Sequence, residues 1–203
     1  MKIGPKYKIA RRLGIPLFEK TQTQKFAMRE QRRAMTKRRR PRARSDYGIQ
    51  LLEKQKARYT YGVSERQFRN YVRKAMLEGK SDPMLALYSH LERRLDNVVY
   101  RMGFAPTRIA ARQYVSHGHF TINGKRVTIP SYHVSEGQEI RVREGSKSKG
   151  IFSNIEEQMK NSAGAEWLKA DMKDMSIKVV GVPMLDQTEV QFDIQAVIEF
   201  YSR

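Results

Sequence analysis

Residues 91–143 decide the fold of this chain, and they read LERRLDNVVYRMGFAPTRIAARQYVSHGHFTINGKRVTIPSYHVSEGQEIRVR. Apolar residues recur there at a spacing of three and four up to Gly118, and the pattern then alternates on both sides of Asn123-Gly124. That dipeptide is a strong hairpin signal because both of its residues accept a positive φ angle. The stretch therefore predicts two helices that lead into a β-hairpin, with arginines recurring along the helices.

Apolar periodicity and capping residues extend this prediction to the rest of the chain. They predict helices over 22–35, 48–60, 65–79, 83–102, 108–117 and 151–162. They predict strands over 120–122, 127–129, 138–143, 167–168, 176–180 and 195–201. Residues 1–46 hold few apolar side chains and are expected to be poor in core, and the Gly-Ser-Lys-Ser-Lys-Gly segment at 145–150 indicates a flexible joint.

The charge of the chain is high and unevenly distributed. The 203 residues include 40 Lys and Arg against 21 Asp and Glu, which gives a net charge of +19. Residues 1–45 hold 16 basic and 2 acidic residues, residues 46–150 hold 19 and 10, and residues 151–203 hold 5 and 9. Such a gradient predicts that the N-terminal three-quarters of the chain bind a polyanion, most commonly a nucleic acid.

Other classes of protein fit the sequence less well. No apolar run approaches the roughly 18–20 residues that cross a bilayer, and no signal peptide is visible, so no membrane partner is expected. Cysteine is absent, which excludes disulfides and thiolate metal sites and is consistent with a cytoplasmic location. Phosphate loops, dinucleotide fingerprints, nucleophile elbows and zinc-hydrolase histidine pairs are missing, so neither an enzyme nor a cofactor is expected.

Together these patterns predict an α+β fold: an N-terminal, mainly helical domain with an inserted helix–helix–hairpin RNA-binding module and short antiparallel strands. The expected divisions are a basic N-terminal extension over 1–46, the helical part of domain one over 47–90, the RNA-binding module over 91–150, and a C-terminal helix and strands over 151–203 that pack back on the helical domain.

The candidate RNA contacts are cations and small polar residues, because guanidinium forks match phosphate oxygens and a helix N-terminus offers free N–H groups. The module helices contribute Arg94, Arg101, Thr107, Arg108, Arg112, Gln113, Ser116 and His117. The hairpin tip contributes Asn123, Gly124, Lys125 and Arg126. The basic run contributes Arg38, Arg39, Arg40, Arg42 and Arg44, and the helices before the module contribute Lys54, Lys56, Arg58, Arg66, Arg69 and Arg73.

Simpler interpretations stand beside these. The arginines could form an ordinary solvated face, the hairpin tip a plain turn, and the run at 38–44 a membrane-attracted patch. Four histidines suggest a metal, but no acidic cluster accompanies them. The triplet Arg94-Leu95-Asp96 resembles the catalytic segment of pseudouridine synthases, yet it lies inside a predicted helix where Asp96 can pair with a nearby arginine. An RNA-modifying enzyme and a stand-alone RNA-binding regulator therefore remain alternatives.

Several longer motifs carry a family resemblance. The chain reads RLDNVVYRMGF at 94–104, SDYG at 45–48, ERQFRNY at 65–71 and EFYS at 199–202. These motifs resemble the family of bacterial small-ribosomal-subunit protein four over about residues 45–145 and, less closely, at the extreme C-terminus. The helix–hairpin module alone would be less specific, because synthases and a tRNA synthetase also carry it.

The resemblance implies a structural ribosomal protein that binds the 5′ domain of small-subunit (16S-type) ribosomal RNA early in assembly. It also implies contact with small-subunit protein five, an influence on translational accuracy, and a position for Arg40, Arg42 and Arg44 where messenger RNA enters the subunit. Two family features are missing: the zinc-ligating cysteines of many members, and the Pro-Gly-x-His-Gly segment usual before the basic run. The N-terminal fold is therefore expected to depend on packing and RNA alone.

Overall fold

The computed structural model describes residues 3–36, 45–78, 82–160, 164–172, 174–186 and 190–202. Its helices are α1 Lys6–Leu13, α2 Gln24–Thr36, α3 Asp46–Tyr61, α4 Glu65–Glu78, α5 Pro83–Glu92, α6 Leu95–Arg101, α7 Arg108–Ser116, α8 Glu144–Lys147, α9 Ile155–Lys160 and α10 Ile194–Ser202. Its strands are β1 Phe120–Ile122, β2 Lys125–Val127, β3 Glu139–Val142, β4 Leu168–Asp171 and β5 Ser176–Val179. The mixed α+β class is confirmed. Within these described ranges, every helix is too short or too polar to cross a membrane.

The chain divides into two compact units, Met1–Arg73 with Asp186–Arg203, and Lys74–Leu185. This division cuts through the predicted C-terminal segment 151–203. Its strands β4 and β5 join the sheet of the second unit, because β5 pairs with β3. Only the last part of the segment, with α10, belongs to the first unit.

The first unit is built around the packing of α10 on α3. Tyr47 and Phe200 stack with ring centroids 5.5 Å apart, and Gln50 donates a hydrogen bond of 2.9 Å to Glu199. The strand predicted over 195–201 is wrong, because Ile194 and Val197 are buried at helical spacing in α10. Packing of this apolar stripe outweighs the preference of its β-branched and aromatic residues for strands.

The N-terminal segment contains more core than its composition predicts. Ala10, Leu13, Phe18 and Thr21 are all buried, and the Thr21 hydroxyl donates a hydrogen bond of 2.6 Å to the Phe18 carbonyl. The segment was expected to be poor in core, and these buried residues give it a small one. The predicted helix over 22–35 is confirmed as α2, in which no side chain is buried.

The second unit contains a five-stranded antiparallel sheet in the order β2-β1-β3-β5-β4. Alternate residues of the sheet share one core with α6, α7 and α9, including Phe120, Ile140 and Ile177. The hairpin forms at the predicted dipeptide, where Asn123 has φ 47° and Gly124 has φ 80°. Its second strand was predicted too late, over 127–129. The two-residue turn closes at once on Lys125, which pairs with Ile122.

Two other predictions for this unit are wrong. The predicted joint at 145–150 contains part of α8, whose Ser146 is fully buried and lies 3.0 Å from Nδ1 of His119. The predicted helix 83–102 is broken into α5 and α6. Arg94 is extended there (φ −70°, ψ 135°) and forms a β-bridge with His133. The backbone N–H of Leu95 donates to the Tyr132 carbonyl at 2.9 Å, so the break is held by hydrogen bonds across the chain.

Candidate nucleic-acid interface

The centre of the candidate interface is a buried carboxylate held by two arginines. Asp96, in the first turn of α6, is 2% exposed. It accepts hydrogen bonds from Nε and Nη2 of Arg94 at 3.0 and 2.7 Å, and from Nε and Nη2 of Arg112 at 2.9 and 2.7 Å. Arg94 is itself 2% exposed, whereas the Arg112 side chain is 26% exposed. Of these two predicted RNA contacts, Arg112 reaches the surface and Arg94 is enclosed.

A second buried carboxylate continues the arrangement. Glu92, the last residue of α5, is fully buried and accepts hydrogen bonds from Nε of Arg101 at 2.9 Å and from Nδ2 of Asn97 at 3.0 Å. The side-chain carbonyl oxygen of Asn97 then accepts from Nε of Arg108 at 2.8 Å. The Arg108 guanidinium also lies 4.4 Å from the centre of the Tyr100 ring. These contacts fix the orientation of two further predicted arginines.

The start of α7 has the predicted capped geometry. The Thr107 hydroxyl accepts a hydrogen bond from the backbone N–H of Ala110 at 3.1 Å. The neighbouring backbone N–H groups and the positive end of the helix dipole favour an anion at this position. Arg108, the first residue of the helix, adds a full positive charge beside them.

The end of α7 and the hairpin are linked through Arg126. Arg126 crosses Gly118 and donates a hydrogen bond from Nη2 to the His117 carbonyl at 3.2 Å. A Cβ atom at Gly118 would collide with the guanidinium of Arg126, so the glycine leaves room for that side chain. The other predicted residues of this surface are also exposed: Gln113, Ser116, His117, Asn123, Gly124 and Lys125.

The two histidines near this surface differ in burial. His119 is buried between Tyr114 and Phe152, and burial lowers its pKa below the ordinary value. His117 is exposed, and the two histidine rings lie 6.0 Å apart. Among the described residues, no three His, Asp or Glu side chains are grouped so that they could hold a metal ion.

The predicted contacts of the first unit fall into two groups. Lys54 is buried against Glu65 at 2.8 Å, Lys56 pairs with Glu53 at 2.6 Å, and Arg58 stacks 4.7 Å from the Tyr59 ring. These three cations are largely engaged within the unit. By contrast, α4 exposes a row of arginines at helical spacing: Arg66, Arg69 and Arg73. The basic run with Arg38, Arg39, Arg40, Arg42 and Arg44 lies outside the described residues.

Two groups of residues were missed in the sequence. The first group is Glu92 and Asn97, which accept hydrogen bonds from arginines. The sequence signal that could have indicated them is an acid and an amide beside the apolar residues of the predicted helix. The second group is the exposed cations of the N-terminal helices, for which the +14 charge of residues 1–45 was the signal. Those cations are Lys8, Arg11, Arg12, Lys20, Lys25, Arg29, Arg32 and Arg33.

Known protein families and proteins match most of this chain. Residues 1–92 match the family model described as ribosomal protein S4/S9 N-terminal domain, and residues 93–140 match the S4 domain. Small ribosomal subunit protein uS4 of Roseiflexus castenholzii is 47% identical over 99% of this chain and 98% of its own length. The protein of the same name from Chloroflexus aurantiacus is 43% identical over 99% and 98%. That of Clostridioides difficile is 48% identical over 78% and 76%.

Proposed function

The chain belongs to the family of small ribosomal subunit protein uS4, and we propose on that basis that it binds small-subunit ribosomal RNA as a structural component of the subunit. The family is structural rather than enzymatic. The burial of Asp96 between two arginines agrees with this, since a catalytic carboxylate must reach its substrate. Neither the modifying enzyme nor the stand-alone regulator is favoured.

The observation that carries the proposal is the position of the oriented arginines inside the segment that matches the S4 domain. Arg101, Arg108 and Arg112 emerge from α6 and α7, and the exposed hairpin cations follow in the same unit. Guanidinium groups bind phosphate oxygens through paired N–H donors, which gives direction as well as charge. RNA shape, phosphates and 2′-hydroxyls are then the features that this surface would recognise.

Finer assignments follow from the family resemblance and extend the same proposal. We propose that the RNA target is the 5′ domain of 16S-type ribosomal RNA, that binding occurs early in assembly, and that it influences translational accuracy. Small-subunit protein five and other ribosomal neighbours are the proposed protein partners. Messenger RNA is the proposed partner of Arg40, Arg42 and Arg44, and the cytoplasm is the proposed location.

The test is RNA binding as a function of salt, with a transcript of the 5′ domain and two matched double variants. Lys125→Gln with Arg126→Gln removes two cations at the hairpin. Lys169→Gln with Lys178→Gln removes two cations from β4 and β5, at the other end of the strand order. The slope of log binding constant against log salt concentration should become shallower by about 0.7–0.9 for each phosphate that is no longer neutralised. For the hairpin variant alone, the salt slope should therefore decrease in magnitude by roughly 1.4–1.8.

Two results would contradict the proposal. Equal decreases in both double variants would show that net charge, and not the hairpin surface, determines binding. Failure of the unaltered chain to bind the transcript in dilute buffer, or to co-sediment with small subunits at moderate salt, would exclude the ribosomal role itself. Binding of transcripts from other rRNA domains with equal affinity would remove only the 5′-domain assignment.

A further inference from the structure

The arginines of α6 and α7 donate hydrogen bonds to buried side chains at the end of α5 and in the first turn of α6. We propose that Glu92, Asp96 and Asn97 are positioning residues for RNA recognition, and that Arg94 is a buried counter-ion and does not contact RNA. This inference rests on the proposed RNA-binding function and specifies how its surface is given a fixed geometry.

Each of the three partly exposed arginines donates to one of these buried side chains. Glu92 holds Nε of Arg101, Asp96 holds Nε and Nη2 of Arg112, and Asn97 holds Nε of Arg108. All three anchors are at most 2% exposed, so solvent does not compete for these bonds. The arginine side chains are partly exposed, 14% for Arg101 and 26% for Arg112.

Anchoring of this kind reduces the cost of binding. Long side chains lose rotamer freedom when they bind a partner, and a side chain that is already ordered loses less. A guanidinium has a planar fork of donors, so its orientation decides whether it meets a phosphate edge-on. The buried anchors would therefore increase affinity for one arrangement of phosphates without touching the RNA themselves.

Arg94 has a different role in the same cluster. Its guanidinium is enclosed, and it forms a two-bond pair with Asp96 within the break between α5 and α6. Removal of one partner from a buried ion pair leaves an uncompensated charge, which is strongly unfavourable. With Arg94 in place, the buried carboxylate of Asp96 has a counter-ion within the core. Arg94 thus stabilises the anchor that orients Arg112.

A neutral substitution distinguishes the positioning of Arg108 by Asn97 from a purely electrostatic contribution of the arginine charge. Asn97→Leu removes the acceptor of Arg108 together with the Nδ2 donor to Glu92, and it changes no charge. If the arginines act only as point charges, this variant should bind the transcript as the unaltered chain does. If Asn97 positions Arg108, affinity for the transcript should decrease by about three- to tenfold, the order expected for ordering one long side chain on binding. Affinity for poly(U), a single strand without folded shape, should remain unchanged.

A double-mutant cycle then excludes a general structural effect. In an Arg108→Gln background the guanidinium of Arg108 is gone, so the effect of Asn97→Leu on transcript affinity should be smaller than in the unaltered chain and limited to what Glu92 and Arg101 transmit. Equal decreases in both backgrounds, or no decrease in either, would overturn the inference. Asn97→Ala is made in parallel because its packing differs, and circular dichroism establishes that each variant is folded at the assay temperature.

Arg94 supplies an independent measurement. Arg94→Met should leave the salt slope of transcript binding unchanged, whereas Arg112→Gln should lower it by about 0.7–0.9. A lower slope for Arg94→Met would overturn its assignment as a buried counter-ion. If the unaltered chain fails to bind the transcript at all, the proposed function fails first, and the inference fails with it. If the unaltered chain binds the transcript but the variants do not show the expected changes in affinity and salt slope, only the inference fails and the proposed function stands.

Discussion

Gly103→Ala should destabilise the second unit more than any ordinary glycine substitution. Gly103 ends α6 with φ 76°, and its N–H donates to the Tyr100 carbonyl while that of Phe104 donates to Val99, both at 3.0 Å. This is the Schellman arrangement, in which the residue after the helix adopts the left-handed conformation. An L residue in that conformation costs roughly 1–2 kcal/mol.

The structure adds a second cost at this position. A Cβ atom on Gly103 would lie 2.7 Å from the carbonyl oxygen of Gln158 and 2.8 Å from Cα of Met159, both in the backbone of α9. Because backbone cannot swing aside as a side chain does, α9 must shift away from the core, and overpacking of this kind typically costs about 1–3 kcal/mol. The total expected decrease in the free energy of unfolding is therefore about 2–5 kcal/mol.

Gly137→Ala provides the matched control. Gly137 belongs to the same unit and has φ 80°, but no atom lies within 4 Å of the added Cβ. Its cost should be the conformational part alone, roughly 1–2 kcal/mol. Trp167 is the sole tryptophan of the chain and is buried in the same core cluster as Met159, so its fluorescence during urea unfolding reports this unit. A destabilisation by Gly103→Ala no larger than that by Gly137→Ala would refute the reasoning.

Two further predictions concern buried polar groups. Burial, followed by the charge of Arg93, lowers the pKa of His133 from 6.5 to about 4, so the folded state resists its protonation. The contribution of His133 to the free energy of unfolding should be complete above pH 6.5 and decrease as the pH falls toward 4. Between about pH 7 and 5, the free energy of unfolding measured in urea should therefore change less for His133→Gln than for the unaltered chain. An equal change in the two proteins would contradict this. Tyr201→Phe removes a hydrogen bond of 2.8 Å to Glu65, so hydrogen exchange in α10 should accelerate about fivefold, corresponding to about 1 kcal/mol. Unaltered α10 protection would mean that the bond contributes nothing.

The elements that the sequence predicted well are those with local signals. Thr107 caps α7, the Asp82-Pro83 pair begins α5, and Asn123-Gly124 makes the hairpin turn, each through the conformation of its own residues. These signals act within a few residues, so no tertiary partner is needed to recognise them.

The errors arose where a distant partner decides the conformation. The pattern of α10 is ambiguous between helix and strand until α3 provides the surface that buries Ile194 and Val197. The break between α5 and α6 depends on backbone hydrogen bonds to residues 130–134, far along the chain. A continuous apolar periodicity through 83–102 could not indicate it, because the break preserves the burial of Leu91 and Leu95 on its two sides.

The same limit explains why counting arginines overestimates the electrostatic contribution of α6 and α7. The cluster has four arginines, but the buried carboxylates of Glu92 and Asp96 offset two of their charges. Its net charge is therefore modest, whereas the hairpin tip and the N-terminal helices expose many cations. Non-specific attraction to RNA grows with the number of phosphates neutralised, and discrimination depends on fixed donor geometry. The most cationic segments should accordingly set the salt dependence of binding, and the α6–α7 surface should set its specificity. A guanidinium paired with a buried carboxylate has a weaker long-range field, because the carboxylate offsets its charge, but its donors point in a fixed direction.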